Sequence, residues 1–126
     1  MILGIGLDVV ETARMERALA EQGRAFEQRV FTTEELRECA PRPDQAMALA
    51  GRFAAKEACV KALGTGFASG VTFQQVEILN GDGGGARISL SGKAAERAQV
   101  LGVRRVHVTL SHEPGIAAAV VILEGE

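Results

Sequence analysis

Arg52-Phe53-Ala54-Ala55-Lys56-Glu57-Ala58-Cys59-Val60-Lys61-Ala62-Leu63-Gly64-Thr65-Gly66 is the stretch on which the fold turns. Alanine-rich sequence from Pro43 to Leu63, with proline in the first turn and Gly64 just past the end, predicts the longest helix of the chain. Leu49, Phe53 and Val60 mark its buried stripe. At about 100° per residue, Glu57 projects within roughly 40 to 60° of Phe53 and Val60, so a carboxylate leans toward the core. It reads either as an i,i+4 partner of Lys61, worth about 0.3–0.5 kcal/mol, or as an acid held for chemistry. Arg52, Lys56 and Lys61 read either as a solvated helix face or as cations for an anionic ligand. The glycines follow Lys61 at a helix end, whereas a Walker loop sets them before a Lys-Ser/Thr pair at a helix start. Their flexible backbone could lie against a ligand, but the macrodipole disfavours an anion there, so phosphate binding has to rest on Lys and Arg side chains.

Upstream, Ile2 to Val10 is an apolar run of strand length in which Leu3, Ile5, Leu7 and Val9 share one face and Gly4, Gly6 and Asp8 the other. It predicts a first strand buried on both sides. Asp8 reads as a strand end or helix cap, or, because Gly4 and Gly6 let a second element come close, as a carboxylate in a crevice. Two inward carboxylates on neighbouring elements are costly unless a cation or protons neutralise them, and such oxygen ligands suit Mg²⁺. Glu11 to Glu21 predicts an amphipathic helix with Met15 and Leu19 inward and Arg14, Arg17 and Glu21 outward, ending before Gly23. Thr32 with Glu35 forms a capping-box pattern for a short helix to about Cys39, before Arg42 and Pro43 break the chain.

Downstream, Val76 to Leu79 and Arg87 to Leu90 flank a glycine-rich turn and predict a hairpin. Ser91 caps a helix ending before Gly102. Val103 to Ser111 alternates as a strand, and after the turn His112-Glu113-Pro114-Gly115 comes the apolar strand Ile116 to Leu123. The order β-α-α-α-β-β-α-β-β describes one α+β domain, residues 1–126. His112 at a strand end is a candidate ligand contact or simply an exposed histidine, and His107 is a weaker candidate. No G-x-S-x-G elbow surrounds Ser111, which excludes a serine hydrolase of that design.

The 126 residues carry 14 basic and 16 acidic side chains, net charge -2, which argues against a nucleic-acid partner. With no Trp, no Tyr and five Phe there is no platform for stacking bases. The longest apolar run, interrupted by Asp8, is too short to cross a bilayer and no signal segment opens the sequence, so no membrane partner and a cytoplasmic location are expected. Cys39 and Cys59 lack the paired short spacing of a zinc or redox site and read as two buried or semi-buried thiols.

Three segments together carry a family likeness: Gly4-Ile5-Gly6-Leu7-Asp8-Val9-Val10-Glu11 with Arg14 following, Arg52 to Gly66, and Val106-His107-Val108-Thr109-Leu110-Ser111-His112. In order and spacing the chain resembles the holo-acyl-carrier-protein synthases, small bacterial 4'-phosphopantetheinyl transferases, over nearly its whole length. The resemblance implies transfer of 4'-phosphopantetheine from coenzyme A to a serine of acyl carrier protein, releasing adenosine 3',5'-bisphosphate. It further implies a homotrimer with active sites at subunit interfaces. By matching position, Asp8 and Glu57 would hold Mg²⁺, with Lys61 beside them in the catalytic group. Arg52, Lys61, Gly64, Thr65 and His112 would lie along coenzyme A, and Arg14, Arg24 and Phe26 would dock the carrier. Gly85-Ala86 departs from the family pattern, which has proline after the glycines. The rival reading from another class is a non-catalytic coenzyme A or nucleotide binding subunit, against which the presence of both Asp8 and Glu57 argues.

Overall fold

Glycine at alternate positions of the first strand lets a helix lie directly on its backbone. In the computed structural model, which describes residues 1–126, strand β1 (Ile2–Glu11) runs under helix α3 (Gln45–Leu63). A Cβ placed on Gly4 would stand 2.3 Å from the carbonyl oxygen of Ala62, and one on Gly6 would stand 1.7 Å from that of Ala58. Two strand residues advance about 6.7 Å and four helix residues about 6.0 Å, so same-face glycines meet successive helical turns. Helix α3 begins at Gln45, two residues later than the sequence suggests, because Pro43 lies in the preceding turn.

The chain follows the expected order. Helix α1 (Thr12–Val30) and helix α2 (Thr33–Cys39) precede α3; strands β2 (Val76–Asn80) and β3 (Ala86–Leu90) form the hairpin; helix α4 (Gly92–Leu101) leads into strands β4 (Arg105–Glu113) and β5 (Ile116–Glu124). The antiparallel sheet has the order β1-β5-β4, with β2-β3 as a separate two-stranded sheet. Ala117, Ala119, Val121 and Leu123 of β5 line the core beneath α3 with Leu49, Val60 and Leu63. The fold is the α+β arrangement read from the sequence.

Several local expectations are corrected. β1 is covered on one face only: Ile5, Leu7 and Val9 are 62%, 56% and 50% exposed, since nothing within the chain packs on the side away from α3. The first helix does not stop at Gly23. That residue takes φ 54 and ψ -131, a backbone state open to glycine, and the helix resumes beyond the kink to bury Phe26 and Val30. His112 lies inside β4, paired with Ala117, instead of in the following turn. Ser91 occupies the cap position of α4 without a side-chain cap bond. Cys39 and Cys59, by contrast, are the free, buried thiols expected.

Lys56 is neither on a solvated face nor near a ligand cleft. It is fully buried and ion-paired with buried Glu35 at 2.8 Å. Its ammonium also donates to the carbonyls of Phe73 at 2.9 Å and Val76 at 2.6 Å. The Glu35 carboxylate accepts from the backbone N–H of Thr32, completing the capping box, and from that of Ile78. Lys56 thus ties α2 and the start of β2 to α3.

The contact between β1 and α3 is directly testable. Gly6→Ala forces the strand off the helix and is expected to destabilise the protein by about 2–3 kcal/mol or more. Gly85→Ala meets nothing within 4 Å at an ordinary φ of -80 and is expected to stay within about 0.5 kcal/mol of the parent. Equal thermal midpoints for the two variants would refute the backbone contact as the organising constraint.

Candidate active site

Asp8 follows Gly6 by two residues and so faces α3 as well. Its carboxylate meets the Lys61 ammonium at 2.9 Å, and Lys61 also donates to the Leu7 carbonyl at 3.1 Å. The Asp8 side chain is 17% exposed and that of Lys61 52%, so an enclosed carboxylate sits under a cation open to solvent. Lys61 therefore pairs with Asp8, not with Glu57 one turn earlier on its own helix. Burial holds Glu57 above the ordinary carboxylate range and the Asp8 charge adds to the rise, while Lys61 and Arg14 pull it down. The structure brings together Asp8, Glu57, Lys61 and, from α1, the charge of Arg14.

Past Lys61, α3 closes on Gly64, which adopts the left-handed conformation at φ 80. The backbone groups expected to be free here are spent: Gly64 N–H donates to the Lys61 carbonyl, and those of Thr65 and Gly66 donate to that of Val60. The Thr65 hydroxyl donates to the Gly66 carbonyl. Any anion beside this turn must be held by side chains.

Arg52 and His112 belong to a different place. α3 crosses the sheet obliquely, with Gly51 against Leu110 of β4 and Ala58 and Ala62 over β1. Arg52 and Lys61, nine residues apart, are thus separated by about 13 Å along the helix. Arg52, His112, Arg42 and Asn80 line a cleft of about 330 Å³ together with Gly84 and Ala86 of the hairpin loop, so the loop that departs from the family pattern does border it. Arg52 pairs with Glu38 at 2.8 Å, yet its buried Nε has no partner in the chain. An unsatisfied buried donor on a cleft wall is an opening for an acceptor from outside. Arg42 is held by both oxygens of Asp44.

The three residues expected to meet a carrier part company. Arg14 and Arg24 are exposed on either side of the Gly23 kink. Phe26 is only 8% exposed, its ring edge-on to Phe31, because the helix beyond the kink turns that side into the core. It offers little surface to a partner. Arg24 instead borders a hollow of about 450 Å³ between α1 and α2, with Phe31 and Leu36. Burial pushes the Cys59 thiol up to about 12, which leaves it inert as a nucleophile.

Sequence reasoning missed the acidic partners Glu35 and Glu38 as partners of Lys56 and Arg52. A signal was present, since Leu49, Lys56 and Leu63 are spaced by seven and share one stripe of α3.

The geometry can be set beside known proteins. A sequence profile of the 4'-phosphopantetheinyl transferase superfamily matches residues 4–120. A holo-[acyl-carrier-protein] synthase of Maridesulfovibrio salexigens is 44% identical over 124 residues, covering 98% of this chain and 99% of that protein. The crystal structure of the corresponding synthase from Neisseria meningitidis superposes with a TM-score of 0.90 at 35% identity, covering 98% of this chain and 99% of that one. That from Helicobacter pylori, in complex with coenzyme A, gives 0.84 at 31% identity, with 95% and 99% covered. No helix here is long and apolar enough to cross a membrane. Full-length similarity in both sequence and structure leaves one assignment: the chain belongs to the holo-acyl-carrier-protein synthases of the 4'-phosphopantetheinyl transferase superfamily, and is an enzyme of that kind.

Proposed function

We propose that the chain transfers 4'-phosphopantetheine from coenzyme A to a serine hydroxyl of an apo acyl carrier protein, releasing adenosine 3',5'-bisphosphate. The observation that carries the reading is the gathering of Asp8, Glu57 and Lys61 where β1 and α3 touch. The coenzyme A bound by the Helicobacter pylori relative supports the donor. The serine oxygen attacks the phosphorus bearing pantetheine, and the P–O bond to the adenosine half breaks. The obstacle is negative charge on both phosphates, against which Lys61 supplies a cation. Glu57, beside Asp8 and Lys61, takes the serine proton directly or through a water.

The donor set fits Mg²⁺: two carboxylates that repel each other, with no third His, Cys, Asp or Glu grouped with them, leave room for water and phosphate oxygens. Asp8 and Glu57 would hold the ion, which when bound supplies positive charge against the phosphates. The unpartnered Nε of Arg52 and the nearby His112 support nucleotide phosphate binding in the second cleft. The exposed apolar face of β1 supports assembly with further copies of the chain, three by family resemblance. An active site completed across that assembly is supported by the position of Asp8 and His112 on opposite edge strands of the sheet. Arg14 and Arg24 would draw in an acidic carrier, and the influence of Arg14 on Glu57 supports docking next to the reacting groups.

Asp8→Asn and Glu57→Gln should each lower kcat/KM about 100-fold or more, read as mass gain on apo carrier protein with coenzyme A and Mg²⁺. Glu57→Gln should also raise the thermal midpoint of the metal-free protein at neutral pH. The raised folded-state value means ionised Glu57 disfavours folding above that value, and the amide removes both the desolvation and the Asp8 repulsion. Full turnover by either variant excludes the metal site; coenzyme A binding by the parent without transfer would favour the non-catalytic subunit.

Sedimentation should give a trimer, and Leu7→Glu, on the exposed face of β1, should dissociate it and reduce activity. A fully active dilute monomer contradicts a shared site.

Arg14→Glu should raise KM for the carrier about tenfold at low salt and flatten its salt dependence. An unchanged carrier KM would remove Arg14 from the docking surface.

A further inference from the structure

The turn that ends α3 presents a problem for any phosphate brought to it. The C-terminal end of a helix carries the negative end of the macrodipole. The N–H groups of Gly64, Thr65 and Gly66 all donate to α3's own carbonyls. Lys61 is engaged by Asp8 and by the Leu7 carbonyl.

Arg97 reaches this turn from α4. Its Nε donates to the Leu63 carbonyl at 2.9 Å, satisfying one of the orphan acceptors of the helix end. Its Nη2 lies 3.5 Å from where a Cβ on Gly64 would be, so the guanidinium borders the turn directly. Arg97 is half-buried and enters none of the chain's ion pairs, whereas Lys93 on the same helix is paired with Glu96. Nε is thus fixed while the two terminal nitrogens have no partner in the chain. A guanidinium oriented at one nitrogen and open at the other two is a pre-organised fork for phosphate oxygens.

We propose that Arg97 is a binding residue for the diphosphate of coenzyme A, a second cation beside Lys61 at the end of α3. The inference rests on the reading that this diphosphate lies along Lys61 and Gly64. Arg97 compensates the helix end that would otherwise repel the ligand, and grips the phosphates through Nη1 and Nη2.

The test compares Arg97→Gln, which keeps a donor for the Leu63 carbonyl without charge, with Arg97→Lys, which keeps charge without the fork. Calorimetry with the full-length protein and Mg²⁺ measures binding of coenzyme A and of adenosine 3',5'-bisphosphate, which lacks the second phosphate of the diphosphate. Arg97→Gln should weaken coenzyme A about tenfold and flatten its salt dependence, with a smaller effect on the bisphosphate and a thermal midpoint near the parent's. Arg97→Lys should recover part of the loss. Parental coenzyme A affinity in Arg97→Gln, or equal losses for both ligands, overturns the proposal and leaves Arg97 as a helix cap. Failure of the parent protein itself to bind coenzyme A would overturn the underlying function reading together with it.

Discussion

Backbone-to-backbone contact between β1 and α3 is the constraint on which the rest of the molecule depends. No side chain larger than hydrogen fits at Gly4 or Gly6, because the Ala62 and Ala58 carbonyls already occupy that space. The near match between two residues of strand and four of helix keeps the two elements in step, and alanine at 54, 55, 58 and 62 keeps the helix side shallow. Asp8 is the first residue on that strand face with a polar side chain. It emerges where the two elements are still close, which is why an aspartate and a glutamate share one spot despite their repulsion.

The helix is also tied from its other side. Lys56 follows Ala55 and precedes Glu57, so the Glu57 carboxylate is one residue from a buried cation fastened to α2 and β2. A buried ion pair contributes less to stability than its Coulomb attraction suggests, because both charges lose their hydration. Burial accordingly pulls the Lys56 ammonium below its ordinary value even with Glu35 beside it. Its firmer effect is geometric: the ammonium accepts only an arrangement in which the Phe73 and Val76 carbonyls converge on it, and this fixes the connection from α3 to the hairpin. Arg52, one turn earlier, does the same for α2 through Glu38 and for the hairpin through Asn80.

What the sequence revealed followed the reach of local rules. The capping box at Thr32 and Glu35, the glycine end of α3 and the order of strands and helices depend on neighbours in sequence, and all are found. The exposed face of β1 was not legible, because an apolar alternation looks the same whether its cover comes from the chain or from elsewhere. Gly23 gave a correct break but not the continuation, since a kinked helix and a terminated one share the same glycine. Phe26, placed on a docking surface by the family resemblance, is turned inward by that continuation. Asp8 and Glu57 stood out as charges among apolar residues, whereas Lys56 was grouped with Arg52 and Lys61 although its partners lie 20 or so residues away in either direction. The cleft of Arg52 and His112 needed the third dimension entirely, since it depends on α3 crossing the sheet at an angle.

The first strand also shows how unevenly this molecule tolerates sequence drift. Along the first strand, Gly4 and Gly6 meet helix backbone and admit almost no volume, while Ile5, Leu7 and Val9 present hydrocarbon to the outside. From Gly4 to Val9 a substitution therefore meets two unrelated tests, steric at the glycines and solvation on the opposite face. The hairpin loop is the opposite case, for Cβ atoms at Gly83, Gly84 and Gly85 meet nothing within 4 Å. Of these, only Gly85 lacks a positive φ, so room for change in the loop is limited by backbone conformation at two positions and by neither space nor conformation at the third. Diversification without loss of fold has its freest path there, on the border of the second cleft and away from the strand that aligns the carboxylates.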